Sequence, residues 1–232
     1  MGFGLRAQHL NIFLLFALTS PAAHAASQLY FLNEDAISLE SFRAPPKAAS
    51  KRDEKDLKAV RHYQAVRTTE DCKRASVSAD HLDLRSFFGA PYGPLSDAEI
   101  NKASPIYWSI MADTDYFTNH LKAKWGRPRP YLRDAQIQPC VSLHYAASYP
   151  SGHSAIAWTE ARVLGVIFPK KRAALLARAN RIAEDRVLGG VHHPSDIQAG
   201  KNLSNLIFEA LMNSEEFSAQ IKTIKKRKEI SH

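Results

Sequence analysis

"PIYWSIMADTDYFTNHLKAK", residues 105–124, carries apolar side chains at helical spacing, and Gly126 and Pro128 stop the pattern just beyond it. The same pattern recurs downstream. "SGHSAIAWTEARVLGVIF" (151–168) is ended by Pro169, and "KKRAALLARANRIAEDRVL" (170–188) by Gly189 and Gly190. "PSDIQAGKNLSNLIFEALMNSEEFSAQI" (194–221) opens with a proline suited to a first helical position. Upstream, "SKRDEKDLKAVRHYQAVRTTEDC" (50–72) places helix formers behind a Ser50 cap, and the turn-rich "GAPYGPLSD" (89–97) leads to a helix start at Ser96 or Asp97. Pro45 and Pro46 punctuate an irregular N-terminal segment. With no repeat, no low-complexity linker and no strand-type alternation, the chain is predicted to be all-α.

Length and composition fit that expectation. The 232 residues, 45% hydrophobic and 23% charged, suffice for one domain with a sizeable core. The first 25 residues read as a cleavable secretory leader: Arg6, an apolar run from about Leu10 to Leu18, then Ala23-His24-Ala25. That run is too short to span a bilayer, and the next apolar stretch is broken by Glu160 and Arg162, so no stable membrane insertion is expected. Residues 26–232 are then one exported, periplasmic or secreted domain.

In an oxidising compartment the two cysteines, Cys72 and Cys140, suggest one disulfide; two buried free thiols are the alternative. Neither has the spacing of a metal or redox motif.

The formal charge is +8, and loss of Arg6 with the leader leaves 30 basic against 23 acidic residues. An anionic partner is favoured. Part of the excess is the C-terminal run Lys222, Lys225, Lys226, Arg227 and Lys228, which reads as the solvated end of a helix. No aromatic residues are interleaved there for base stacking, so nucleic acid is not an expected partner.

Unusual chemistry collects at the helix ends. Lys122 lies in the last turn before Gly126, and Arg129 follows in "RPRP". Ser151, Gly152 and His153 open the next helix, whose first N–H groups lack intrahelical acceptors and carry the positive end of the helix dipole. An anion is favoured there, and glycine lets it approach the backbone. Arg186 closes the following helix, and His192 stands four residues before Asp196, a spacing that lets the carboxylate hold one ring nitrogen. Singly, each of these is more often a surface charge, a cap or a satisfied loop histidine.

Order and spacing together say more. "KAKWGRPRP" (122–130), "PSGH" (150–153) and "DRVLGGVHHPSD" (185–196) read as K-x6-R-P, P-S-G-H and R-x5-H-x3-D. This resembles the three-part signature of the type 2 phosphatidic acid phosphatase superfamily, and within it the secreted bacterial class A non-specific acid phosphatases. The likeness is close from Lys122 onward and weaker before it.

The resemblance implies a compact helical bundle of the acid phosphatase and vanadium haloperoxidase type, with the motifs converging on one phosphate pocket. It implies hydrolysis of small phosphate monoesters through a phosphohistidine, with no metal and no cofactor, and allows phosphate transfer to alcohols and a homo-oligomer. In the implied roles His192 is the nucleophile, Asp196 its orienting carboxylate and His153 the acid on the leaving oxygen. Lys122, Arg129, Arg186, Ser151 and Gly152 bind the phosphoryl oxygens. Counting from Arg186 and Asp196 selects His192 over the adjacent His193.

One position departs from the pattern: Asp185 stands where the family has serine, and is expected to face solvent or pair with Arg186. The alternatives are a vanadate-dependent haloperoxidase, a phosphatase specific for lipid phosphates, and an anion-binding protein without turnover.

Overall fold

The computed structural model describes residues 29–227; the predicted leader and Lys228 lie outside them. Among the described residues the helices run in the order α1 (Lys51–Val66), α2 (Thr69–Asp80), α3 (Leu84–Phe88), α4 (Asp97–Trp125), α5 (Pro130–Arg133), α6 (Gly152–Ile167), α7 (Arg172–Leu188), α8 (Pro194–Asn213) and α9 (Glu215–Lys226). They contain no strand, only an isolated bridge between Gly89 and Leu95. The fold is all-α.

Helix α6 is the axis. Its sequence is apolar on nearly every side, so it is covered on nearly every side, by α4, α7 and α8. The α4 stripe of Ile106, Ile110, Phe117 and Leu121 packs in the same core as Leu164 of α6, Leu175 and Ile182 of α7, and Leu203, Ile207 and Leu211 of α8. Each such side chain contributes about 1.5–3 kcal/mol on burial, so these stripes set the arrangement.

Three helix boundaries differ from the sequence reading, each for a local reason. Helix α4 begins at Asp97, as expected, but it continues unbroken through Pro105 into the apolar 105–124 stretch. A capping box between Ser96 and Glu99 starts the helix, and burial of Ile100 and Ala103 outweighs the roughly 3 kcal/mol that an interior proline costs. The 50–72 segment is two helices: Ser50 caps α1 as expected, but Thr68 and Asp71 form a second capping box that starts α2. The segment from Pro194 also divides, because Ser214 accepts the Phe217 N–H and caps α9.

Two glycines set the approach of these elements. Gly126 ends α4 with φ at 53°, in the left-handed region that favours glycine, and turns the chain toward Arg127 and Arg129. A Cβ on Gly200 would lie 2.5 Å from the Ser151 carbonyl oxygen and 2.8 Å from Ser154 Cβ, so glycine lets α8 close onto the first turn of α6. The Ser151 N–H donates to the Asp196 carbonyl at 3.0 Å across the same contact. Cys72 of α2 and Cys140 form a disulfide that fastens α2 to the loop between α5 and α6.

Candidate active site

The predicted residues come together where the end of α4, the start of α6, the end of α7 and the start of α8 meet. Ser151 caps α6, its side chain accepting from the Ser154 N–H, and the first-turn N–H groups of Gly152 and His153 have no intrahelical acceptor. A Cβ on Gly152 would meet only Thr118 Cγ2, at 3.6 Å, so protein packing does not require glycine there.

Lys122 and Arg129 are braced by the loop before α6. Lys122 donates to the Ala147 carbonyl, and Arg129 Nε to the Ala146 carbonyl at 2.9 Å. Arg129 Nη1 donates to the Val191 carbonyl at 2.9 Å and lies 3.2 Å from His192 Nε2. Guanidinium only donates, so this contact leaves His192 Nε2 as the acceptor and puts its proton on Nδ1. Nδ1 sits 3.4 Å from Asp196 Oδ2. The result is an imidazole whose Nε2 lone pair faces the cations.

Asp196 serves both adjacent histidines. Its Oδ2 accepts from the His193 N–H at 2.7 Å and from Ser148 Oγ, and lies 2.9 Å from His193 Nδ1. His193 Nε2 is 3.0 Å from Arg133 Nη1, so both of its ring nitrogens are engaged. The carboxylate is thus closer to His193, but His192 is the histidine that turns toward Arg129.

Electrostatically the site is an excess of buried cations. Burial, then repulsion from Arg129 and Arg186, brings Lys122 down to about 7. Burial and Arg129 likewise lower Arg186 to about 9. Arg186 is fully buried, and its Nε, Nη1 and Nη2 find no hydrogen-bond partner among the described residues. Burial, then the charges of Arg186, His192, His144 and Arg129, holds His153 well below the ordinary histidine range. Burial and Arg129 do the same to His192 against the opposing pull of Asp196. Burial alone would raise Asp196, yet its contacts with His192 and His193 and the charge of Arg127 hold it well below the carboxylate range.

Residues 105–216, which include all three motifs, match the PAP2 superfamily. The chain carries a PAP2 superfamily domain. It is homologous to a bacterial non-specific acid phosphatase from Providencia stuartii, 27% identical over 91% of this chain and 90% of that protein. Two solved structures share the fold. A transmembrane PAP2-type phosphatidylglycerolphosphate phosphatase from Bacillus subtilis has a TM-score of 0.53 at 18% identity, covering 78% of this chain and 91% of that one. A bacterial vanadium-dependent iodoperoxidase has a TM-score of 0.58 at 16% identity, covering 79% of this chain and 54% of that one. No helix among the described residues is long and apolar enough to cross a membrane.

In this PAP2 domain Asp185 neither faces solvent nor pairs with Arg186, contrary to both sequence expectations. It is buried, and its partner is Arg74 of α2, whose Nη2 donates to Asp185 Oδ1 at 2.8 Å and whose Nε lies 3.3 Å from the same oxygen. A carboxylate next in sequence to Arg186 is therefore neutralised from the far side. The turn-rich segment before α4 places Tyr92, Gly93 and Pro94 beside Arg74, Arg178 and Arg181 in a separate groove.

Sequence reasoning also missed what anchors Asp196. Arg127, two residues before the motif arginine, donates to Asp196 Oδ1 at 2.6 Å and Ser195 Oγ at 2.7 Å, and to Asp53 and Asp56 of α1 at 2.9 Å each. Arg133 also pairs with Asp53. The first arginine of "RPRP" was the available signal; the α1 carboxylates, about 70 positions away, had none.

Proposed function

We propose that this protein is an acid phosphatase that hydrolyses phosphate monoesters through a phosphohistidine. The observation that carries the reading is Arg186. A fully buried guanidinium with no partner among the described residues is costly unless an anion completes it, and it stands among Lys122, Arg129 and the start of α6. Phosphoryl oxygens match that set of donors, and the charge of the transition state lies on those oxygens. The acid phosphatase relatives support the same class.

The steps follow from the side chains. His192 Nε2 attacks phosphorus, forming a P–N bond, while the ester P–O bond breaks and its electron pair stays with the leaving oxygen. Asp196, through Nδ1, stabilises the charge that develops on the ring. His153 gives a proton to the leaving oxygen, releasing an alcohol. Water then attacks the phosphohistidine, forming a P–O bond as the P–N bond breaks and its electron pair returns to Nε2; His153 takes the water's proton, and inorganic phosphate leaves. An alcohol in place of that water gives phosphate transfer. A bound phosphate dianion also offsets the cations that otherwise disfavour protonated His153.

The three cationic side chains supply the charge a metal ion would bring, so no metal is required in this reading. The leader-like residues 1–25 and the Cys72–Cys140 disulfide support export to an oxidising compartment.

Purified mature protein is tested on p-nitrophenyl phosphate and a panel of alkyl, nucleotide, sugar and lipid phosphates, with and without EDTA. Turnover that survives the chelator is expected. Loss with EDTA and recovery with a divalent ion would overturn metal independence. Bromide oxidation on addition of vanadate, without phosphatase turnover, would replace the reading with haloperoxidase chemistry. Phosphate binding without any turnover would leave only an anion-binding protein.

A further inference from the structure

We propose that His144 is a positioning residue for the proton donor His153: the loop between α5 and α6 places its imidazole against the His153 ring, where it governs the pH range over which His153 delivers a proton. The inference rests on the phosphatase reading above. None of the three motifs contains His144, which lies in the connecting segment 134–151.

The His153 ring has two aromatic neighbours. Phe87 of α3 stacks on it with centroids 6.2 Å apart and planes 19° apart, and the His144 ring lies 5.6 Å away at 53°. Phe87 is inert, whereas His144 titrates. His144 is not a loosely held loop residue. Tyr131 of α5 donates its hydroxyl to the His144 carbonyl at 2.9 Å, and the next carbonyls, of Ala146 and Ala147, are bound by Arg129 and Lys122. The cage cations therefore hold the backbone that presents His144. The Nε2 atoms of His144 and His153 are both buried and find no partner among the described residues.

The charges around the pair fix the sign. His144 faces Arg186 of α7, Arg129, Lys122 of α4 and Asp80 of α2; burial first, then the three cations, lowers its proton affinity, and Asp80 opposes them. His153 of α6 faces Arg186, His192, Arg129 and His144. Positive charge at position 144 thus disfavours a proton on His153, and a neutral, smaller side chain relieves both repulsion and desolvation. Half-exposed between solvent and a fully buried donor, His144 is the neighbour able to change charge without rebuilding the core.

The test is the pH profile of kcat/KM for an alkyl phosphate, whose alkoxide needs the proton. Activity carried by protonated His153 falls as pH rises through its pKa, so the high-pH limb reports that group. His144→Gln should move this limb to higher pH and His144→Lys to lower pH, each by about one unit, the size expected for a charge about 4–6 Å away. In a His153→Ala background neither substitution should move the limb. A purely structural role would move both variants the same way, through loss of packing. Thermal melts and p-nitrophenyl phosphate turnover report whether each variant is folded.

If His144→Lys does not fold, His144→Gln still decides, because an unshifted or downward-shifted limb overturns the proposal. Shifts of the same sign in both variants, or shifts that persist without His153, overturn it as well. Failure of the wild-type protein to hydrolyse any phosphate ester would instead sink the phosphatase reading.

Discussion

Arg127 and Asp196 form a buried ion pair, Nη1 to Oδ1, at 2.6 Å, and the same guanidinium is held from behind by Asp53 and Asp56. The carboxylate proposed to orient the nucleophile is thus tied to α1. Removing Arg127 leaves three buried carboxylates with too few partners, and breaking a buried pair from one side costs about 3–5 kcal/mol. Arg127→Met should lower the denaturation midpoint accordingly in urea unfolding at neutral pH.

The same network sets acid stability. Burial alone would raise Asp53, but hydrogen bonds from Arg133 and Arg127 overcome it and hold the group at about 2. Because the folded-state affinity for protons is lowered, this group contributes stability above its unfolded value of about 3.9 and loses it as pH falls toward 2. Unfolding followed from pH 5 to pH 2 should show the wild type losing stability across that window. The loss should be smaller in Asp53→Asn, which is weaker at pH 5 to begin with.

Arg74 pairs with Asp185, whose charge also reaches the neighbouring Arg186. Arg74→Ala should leave a buried carboxylate beside the guanidinium proposed to bind phosphate, raising KM for phosphate esters and weakening inhibition by inorganic phosphate. Asp185→Asn in that background should restore much of both. If Arg74→Ala leaves KM and phosphate inhibition unchanged, Asp185 has no influence on the cage.

Gly152 separates packing from function. Its Cβ would make only an ordinary contact with Thr118, so Gly152→Ala should leave the melting temperature unchanged or slightly higher. A methyl group at the mouth of the α6 N-terminus should nevertheless displace the phosphoryl group, and a displacement near 1 Å is worth about a hundredfold in rate. Equal kcat/KM in the variant would show that no anion seats there.

The disulfide closes a loop with a sequence separation of 68, for which the chain-entropy treatment gives about 4 kcal/mol. Thiol titration of the purified protein under denaturing, non-reducing conditions should find no free thiol. A Cys72→Ser, Cys140→Ser double variant should melt markedly lower.

The candidate site's roles came from the resemblance carried by three separated motifs, and its local features were legible within single helical turns. Pro194 at a helix start, Ser151 as a cap and the four-residue step from His192 to Asp196 each depend on neighbours within one helical turn. The all-α class followed from periodicity repeated over several segments. What stayed hidden depends on tertiary proximity. Pro105 forbids a helix interior on local grounds, and only the buried Ile100 and Ala103 upstream override it. Asp185 found a partner 111 positions away, and Arg127 its partners on α1, so no spacing rule points to either pairing.

The decisive prediction concerns the two motif histidines. His192 offers Nε2 toward Arg129 and has Asp196 on its other nitrogen, whereas His153 is buried among cations without a carboxylate among its nearest influences. Their roles separate by leaving group. An alkyl phosphate expels a poor alkoxide that needs a proton, while the phenolate of p-nitrophenyl phosphate departs unaided. His153→Ala should therefore depress alkyl phosphate hydrolysis by about 10²–10⁴-fold, the usual size of general acid catalysis, and aryl phosphate hydrolysis far less. His192→Ala should abolish both. Rapid quenching should trap an acid-labile phosphoenzyme in proteins that retain His192 and in none that lack it. Substantial turnover by His192→Ala, or trapped phosphate on another residue such as His193, would move the nucleophile elsewhere in the cage.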